Sequence, residues 1–413
     1  MKKSILSLLA LAALASCGPQ ANGDFTVTVK NELGIDRENE MVEIPMTDIL
    51  PKVQLMDDET YCVVDEAGQR LPVQFTYDDK LMFPASVKAH GTAVFKVVSG
   101  EAEEMEPLVE GRHYPERVDD IAWENDLTAY RCYGPALQAS GERAFGYDVW
   151  VKNTPRPVVA ERYANELNPD TQARIAELRQ QRRFDEADAL YHSVSYHVDH
   201  GNGMDCYKVG PTLGGGTAAL MDGGQIVYPY CWASYEIMER GPLRFMMKLT
   251  YNPFEYQGDS LVETRIVSLA MGSQLNRTIV SYNGMSKSAT LAAGIVVHPE
   301  NQGPEAYVLS TEKGYIGYQD LTDNIHNDNG EIYVGIVAPW AKNTEYQAFG
   351  PAEAASRGAS GHVLATGDIN PEDSVTYYWG SAWSKAGWQS LDEWSRYLED
   401  YAAKLKSPLK VSY

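Results

Sequence analysis

The chain has 413 residues, 57 acidic against 35 basic, and a formal net charge of -22. At ~150 residues per domain that length predicts two or three domains with ample material for a core. A surface this acidic excludes nucleic acid and an anionic bilayer face as partners, because both demand basic patches.

Residues 1–16 have two lysines, an apolar run from Ile5 to Leu14 and a small-residue cleavage pattern, which marks a secretory signal peptide. The run is far short of the ~20 residues a bilayer span needs. Leu14-Ala15-Ser16-Cys17 resembles the bacterial lipoprotein box, so Cys17 is expected to carry lipid at the new N-terminus, with 17–23 as tether. That lipid is then the chain's contact with a membrane. The tether GPQANGD lacks a dense acidic run, which predicts a lipid-anchored protein facing the periplasm from the outer membrane.

FTVTVKN (25–31), MVEIP (41–45), YCVVD (61–65), LPVQFTY (71–77) and AVFKVVSG (93–100) alternate with turn residues and predict a small N-terminal β-sandwich over 24–100. The acidic stretch EAEEMEPLVE predicts a linker over 101–112. From 113 to 413 strands recur around 123–133, 145–151, 194–199, 235–251, 261–270, 276–283, 289–297, 331–338, 361–366 and 374–380. Long antiparallel strands without helices between them predict a large β-sandwich domain, so the fold class is mainly β. Two helical stretches interrupt it. Asn168-Pro169 is a cap followed by a first-turn proline and opens a helical insertion over 168–192. Ser390 and Glu393 form a capping box ahead of Leu391, Trp394, Leu398, Tyr401 and Leu405 at helical spacing, which predicts a C-terminal helix packed on the sandwich.

The aromatic set is 26 tyrosines and eight tryptophans against nine phenylalanines, and rings with a polar edge suit sugar surfaces. Cys62, Cys132, Cys206 and Cys231 show no CxxC spacing, so buried free thiols are expected, a Cys206–Cys231 bridge being the alternative.

Two segments are too polar for plain sandwich strands. In HYPERVDDIAWENDLTAYRCYGPAL (113–137), a strand through 123–133 would put Trp123, Asn125, Leu127, Ala129 and Arg131 on one face and Glu124, Asp126, Thr128 and Tyr130 on the other. Whichever face meets the core carries charge, so the strand holds an ion-pair network or lines a site. In SYHVDHGNGMDCYKVGPTLGGG (195–216), His197 and Asp199 would share a strand face, and a glycine-rich loop would carry His200, Asp205, Tyr207 and Lys208 toward a ligand. The structural alternative is a turn-rich loop whose histidines bond to backbone. Both segments are expected to line one cleft. His197, Asp199, His200 and Asp205 include metal-ligand atom types, but the spacing is neither H-E-x-x-H nor an EF-hand, and no metal or cofactor is assigned. The triple glycine has no following G-K-S/T, and G-x-S-x-G is absent, which removes a phosphate loop and an α/β-hydrolase triad.

The strings RVDDIAWENDLTAYRCYGPAL, GYDVWVKNTPRPVV, HVDHGNGMDCYKVGPTLGGG, GSQLNR and YYWGSAWSKAGW resemble those of a family of exported bacterial proteins known as a domain of unknown function and associated with polysaccharide-utilisation gene clusters. The resemblance spans about residues 24 to 405. It implies a galactose-mutarotase-like β-supersandwich, a fold shared with polysaccharide lyases and glycosidases, but supplies no catalytic set. Side-chain chemistry then suggests roles on an oligosaccharide containing uronic acid. For β-elimination, Arg131 and Asn125 would neutralise the carboxylate, His200 or His197 would take the C5 proton, and Tyr207 would protonate the leaving oxygen. For hydrolysis, Asp126 and Asp205 would be the two carboxylates. Trp123, Lys208 and His113 would add substrate contacts. The rival classes are a non-catalytic glycan-binding lipoprotein with Trp232, Trp340, Trp379 and Trp383 as platforms, and a sugar mutarotase or epimerase.

Overall fold

Alternation of apolar and polar side chains every second residue folds most of the chain into antiparallel sheets. A computed structural model describes residues 24–102, 105–321 and 328–413. The signal peptide, Cys17 and the tether lie outside the described residues, as do 103–104 of the expected linker.

In the first sandwich, Phe25, Val27 and Val29 point inward from Phe25–Lys30 and meet Ile44, Phe83 and Val97 in a core of their own. One sheet has the strand order Lys410–Ser412, Phe25–Lys30, Thr92–Glu101, Glu59–Val64, Arg70–Leu71; the other has Arg37–Pro45, Lys80–Val87, Gln74–Phe75. The chain's last strand therefore returns to its first, pairing Ser412 with Thr28.

The large part is built on a nine-stranded sheet running from Trp232–Arg240 at one edge to Tyr307–Ser310 at the other. Two five-stranded sheets pack on it through one continuous core that includes Trp123, Tyr147, Val149, Phe245, Ile295 and Trp379. One of these sheets has the order Gly203–Asp205, Asp148–Lys152, Ala129–Cys132, Asp120–Glu124, Glu110–Tyr114. Its outer face is covered by a helix, Val159–Glu166, against which Tyr114, Trp150, Tyr163 and Tyr196 cluster.

The insertion forms as expected. Asn168 accepts hydrogen bonds from the Asp170 and Thr171 amides at 3.0 and 3.1 Å and opens Pro169–Gln180; a turn follows, with Arg182 at φ 59°, and then Phe184–Val194. The terminal helix, Leu391–Lys406, starts at Ser390, whose hydroxyl accepts from the Glu393 amide, and buries Trp394 and Leu398.

Three expectations are corrected. Residues 123–133 are not one strand: Asp120–Glu124 and Ala129–Cys132 form a hairpin, because Asn125 Oδ1 accepts from the Leu127 and Thr128 amides and folds the chain back. Residues 194–199 are the end of a helix and a turn, so His197 and Asp199 share no strand face. Asp199 Oδ1 instead accepts from the Gly201 and Gly203 amides and organises that turn. Gly203 is obligatory there: its φ is 100°, and a Cβ would lie 2.0 Å from the Val151 carbonyl oxygen. Finally, the run 235–251 is a hairpin, Trp232–Arg240 with Arg244–Tyr251.

Candidate functional site

The outer face of the sheet under the helix Val159–Glu166 carries charge at alternate positions. Ile121, Trp123, Tyr130, Val149, Val151 and Met204 point into the core, so period two sends Asp120, Glu124, Arg131, Asp148, Lys152 and Asp205 outward beneath the helix. They form two groups at opposite ends of the sheet. At one end Lys152 Nζ donates to Glu124 Oε2 at 2.6 Å, while Glu124 Oε1 accepts from the Val158 and Val159 amides at 2.8 and 2.7 Å. That carboxylate satisfies open donors at the start of Val159–Glu166 and fixes the helix on the sheet.

At the other end one guanidinium is surrounded by three carboxylates. Arg131 Nη2 lies 2.5 Å from Asp148 and 2.7 Å from Asp205, and Nη1 lies 3.7 Å from Asp120. Burial and the nearby Asp205 charge push Asp148 up to about 7, against the attraction of Arg131. Burial pushes Asp120 up to about 6, against Arg131 and Arg117. The cluster therefore takes up protons at a pH where exposed carboxylates are bare. Tyr163 donates to Asp120 at 3.1 Å and ties the covering helix to the cluster. His197, its side chain 48 % exposed, places Nδ1 2.9 Å from the Asp205 carbonyl oxygen and 3.6 Å from its carboxylate.

Tyr196 divides this cluster from a cavity. Its ring stacks on Trp150 at 5.0 Å and lies 5.9 Å from the Arg131 guanidinium, and its hydroxyl accepts from Arg117 Nε at 2.9 Å. Beyond it, a space of about 290 Å³ is lined by Glu161, Arg162, Asn165, Tyr196, His200 and Asn202. Arg162 is 5 % exposed; Nη2 donates to the Asn202 carbonyl and side-chain oxygens at 2.6 and 3.0 Å, and Nη1 has no hydrogen-bond partner among the described residues. Burial lowers the Arg162 guanidinium, against the pull of Glu124. His200 Nε2 lies 3.0 Å from the Ser195 carbonyl oxygen. A carbonyl only accepts, so Nε2 carries the proton and a neutral His200 keeps its lone pair on Nδ1. The cavity thus offers an unsatisfied cation, a base, and amide side chains suited to hydroxyls.

A family model described as "Domain of unknown function (DUF4861)" matches residues 29–411. The chain belongs to this family. A Formosa agariphila relative named "Uncharacterized protein P7" is 26 % identical over 434 residues, covering 99 % of each chain. Among solved structures, a glycosyl hydrolase family 38 protein from Enterococcus faecalis is 10 % identical with a TM-score of 0.46, over 94 % of this chain and 47 % of that one. An alpha-mannosidase from Enterococcus faecalis is 10 % identical with a TM-score of 0.41, over 94 % and 46 %. The DUF4861 chain spans about half the length of these two solved structures, and likeness at this level transfers no residue role.

In this DUF4861 chain, Arg131, Asp205 and His197 come together, with Arg131 and Asp205 buried on the outer face of the sheet and His197 half-exposed at its rim. Arg131 is 4 % exposed and occupied by aspartates, so it is not the receptor of a substrate carboxylate. Asn125 is a clasp: beyond its turn, Nδ2 donates to the Ala270 and Ser273 carbonyls at 2.7 Å each. Trp123 is core, its Nε1 donating to Asn276 Oδ1 at 2.7 Å. Tyr207 is buried among core residues with its hydroxyl unpartnered, and burial pushes the phenol well above its usual range. It does not line the cavity that His200 borders. Asp126 accepts from the Gly272 amide at 2.7 Å, burial raises its carboxyl, and the length of Asp120–Glu124 separates it from the Arg131 cluster. It therefore cannot share a glycosidic bond with Asp205. His113 sits 3.2 Å from Asp119 and packs on Trp232 and Tyr235, and Lys208 adjoins the His298–Asp320 pair. Trp232, Trp379 and Trp383 are buried and are not platforms. All four described cysteines are buried, and Cys132 and Cys231 are free thiols. Among the described residues no group of three His, Cys, Asp or Glu side chains could hold a metal ion; a guanidinium occupies the centre of the three aspartates. Arg162 escaped the sequence reading because VVAERYANE was not recognised as a helix. Its spacing of Val159, Arg162, Tyr163 and Glu166 was the available signal.

Proposed function

We propose that this chain is a carbohydrate-active protein that takes a uronic-acid residue of an oligosaccharide into the cavity beside the helix Val159–Glu166. The observation that carries the reading is Arg162, a buried guanidinium lining the cavity with one nitrogen unpartnered among the described residues. A buried donor without a partner costs free energy that a ligand carboxylate would recover. The resemblance to exported proteins of polysaccharide-utilisation clusters, and to galactose-mutarotase-like supersandwiches, supports the same substrate class, as does the lipidation expected at Cys17.

Elimination is favoured over hydrolysis, because the expected pair of carboxylates is not assembled. Arg162 neutralises the uronate carboxylate and stabilises charge as C5 loses its proton to His200 Nδ1. The C5–H electrons form the C4–C5 double bond, the C4–O bond breaks, and the leaving oxygen takes a proton from water. His200→Ala is expected to lower turnover of acidic oligosaccharides by about 10²–10⁴-fold, read as ultraviolet absorbance of the unsaturated product. Arg162→Ala is expected to remove both binding and turnover. Turnover at the wild-type rate in both variants would sink the reading; saturable binding that needs Arg162, with no product, would make the protein a glycan binder.

A further inference from the structure

We infer a second anionic-sugar site, in a groove built from arginine and aromatic side chains that shares no lining residue with the Arg162 cavity. The groove encloses about 470 Å³ and is lined by Arg143, Phe145, Pro211, Tyr228, Tyr230 and Arg357. On a chain of net charge -22, its lining holds two guanidiniums and no carboxylate.

Its construction is rigid on one side and open on the other. Arg357 lies over the Tyr228 ring at 4.0 Å, donates to Glu353 Oε1 at 2.8 Å, and donates through Nη1 to the Pro211 carbonyl. Among the described residues its Nη2 has no hydrogen-bond partner. Phe145 adds a ring 5.6 Å from Tyr228. Behind Tyr228, the buried His362 accepts from the Leu213 amide at 3.1 Å, and burial lowers it to about 3, so it stays neutral and holds the glycine-rich loop in place. On the open side Arg143 is exposed and has no ion pair among the described residues, and Tyr230 is 51 % exposed. A flat ring beside Arg143, and beside an Arg357 that is itself paired with Glu353, suits a sugar ring with an apolar face and an anionic substituent. The Gly210–Gly216 loop thus has a use away from the His200 cavity, as the wall that carries Pro211.

The anion is a carboxylate or a sulfate ester, and the probes separate them. In an Arg162→Ala background, which silences the other cavity, trigalacturonate, a sulfated oligosaccharide and neutral cellotriose are titrated by calorimetry. One or both acidic probes are expected to bind about tenfold or more tightly than cellotriose. Arg143→Ala and Tyr230→Ala, both at exposed positions, are each expected to weaken acidic binding about tenfold without moving the melting temperature. Equal affinity for cellotriose, parental binding by both variants, or no binding of either acidic probe overturns the inference. Because the background lacks Arg162, each of these outcomes leaves the reading of the first cavity intact.

Discussion

At the scale of the residue, the charges under the helix Val159–Glu166 hold the fold together more than they wait for a ligand. Glu124 receives Lys152 and two helix amides, and truncating it leaves a buried ammonium and open donors together. Glu124→Ala is therefore expected to cost about 3–5 kcal/mol in urea unfolding, a buried charge pair broken from one side. The Arg131 cluster gives a prediction with a sign. Asp148 lies at about 7 in the folded chain against an ordinary 3.8, so the folded state keeps its proton longer than the unfolded one. The resulting stability is complete below the unfolded value and is lost as pH rises through about 7; Asp120 acts the same way up to about 6. Asp148→Asn is permanently neutral, so its melting temperature should fall less than the wild type's between about pH 5 and 7.5. Parallel curves for the two proteins would remove Asp148 from the account. The residue types of this cluster were legible in RVDDIAWENDLTAYRC as charge where a core strand has none. Which charges meet depended on a hairpin and two later strands, and that pairing is not written locally.

At the scale of the element, legibility followed the presence of a local signal. The caps at Asn168 and Ser390 announced their helices because the side chain and the amides it satisfies lie within three residues. Long strands such as Asp259–Ala270 and Ala289–Val297 were visible through their apolar content. The helix Val159–Glu166 has no side-chain cap of its own; its open amides are met by Glu124, 34 and 35 residues earlier in sequence. A window that sees only neighbours misses it, and with it Arg162. The strand 123–133 failed for the opposite reason. Its alternation was real on both arms, and Asn125 turned the chain in the middle, with Ala270 and Ser273 from another sheet holding that asparagine in place.

At the scale of the molecule, the two sandwiches are joined by contacts between their sheets and by the return of the chain's last strand. Gln74 in the first accepts from the Leu243 and Arg244 amides of the large sheet at 2.8 Å each, and Arg244 reaches back to Glu43. The terminal helix then hands the chain back: Leu409 packs on the first core, Lys410–Ser412 pairs with Phe25–Lys30, and Tyr413 sets its ring 5.0 Å from Phe25 and donates to Asp48 at 2.9 Å. Removing 408–413 bares the edge of Phe25–Lys30 and uncovers Phe25, while every residue around Arg162 keeps its neighbours. The truncated protein is therefore expected to unfold its first sandwich ahead of the rest, as an early calorimetric transition with faster proteolysis within 24–100. Ligand binding at the Arg162 cavity should be unchanged below that transition. A single transition at the wild-type temperature would show that the returning strand contributes nothing, and a coincident loss of ligand binding would show that the first sandwich supports the cavity through the large sheet.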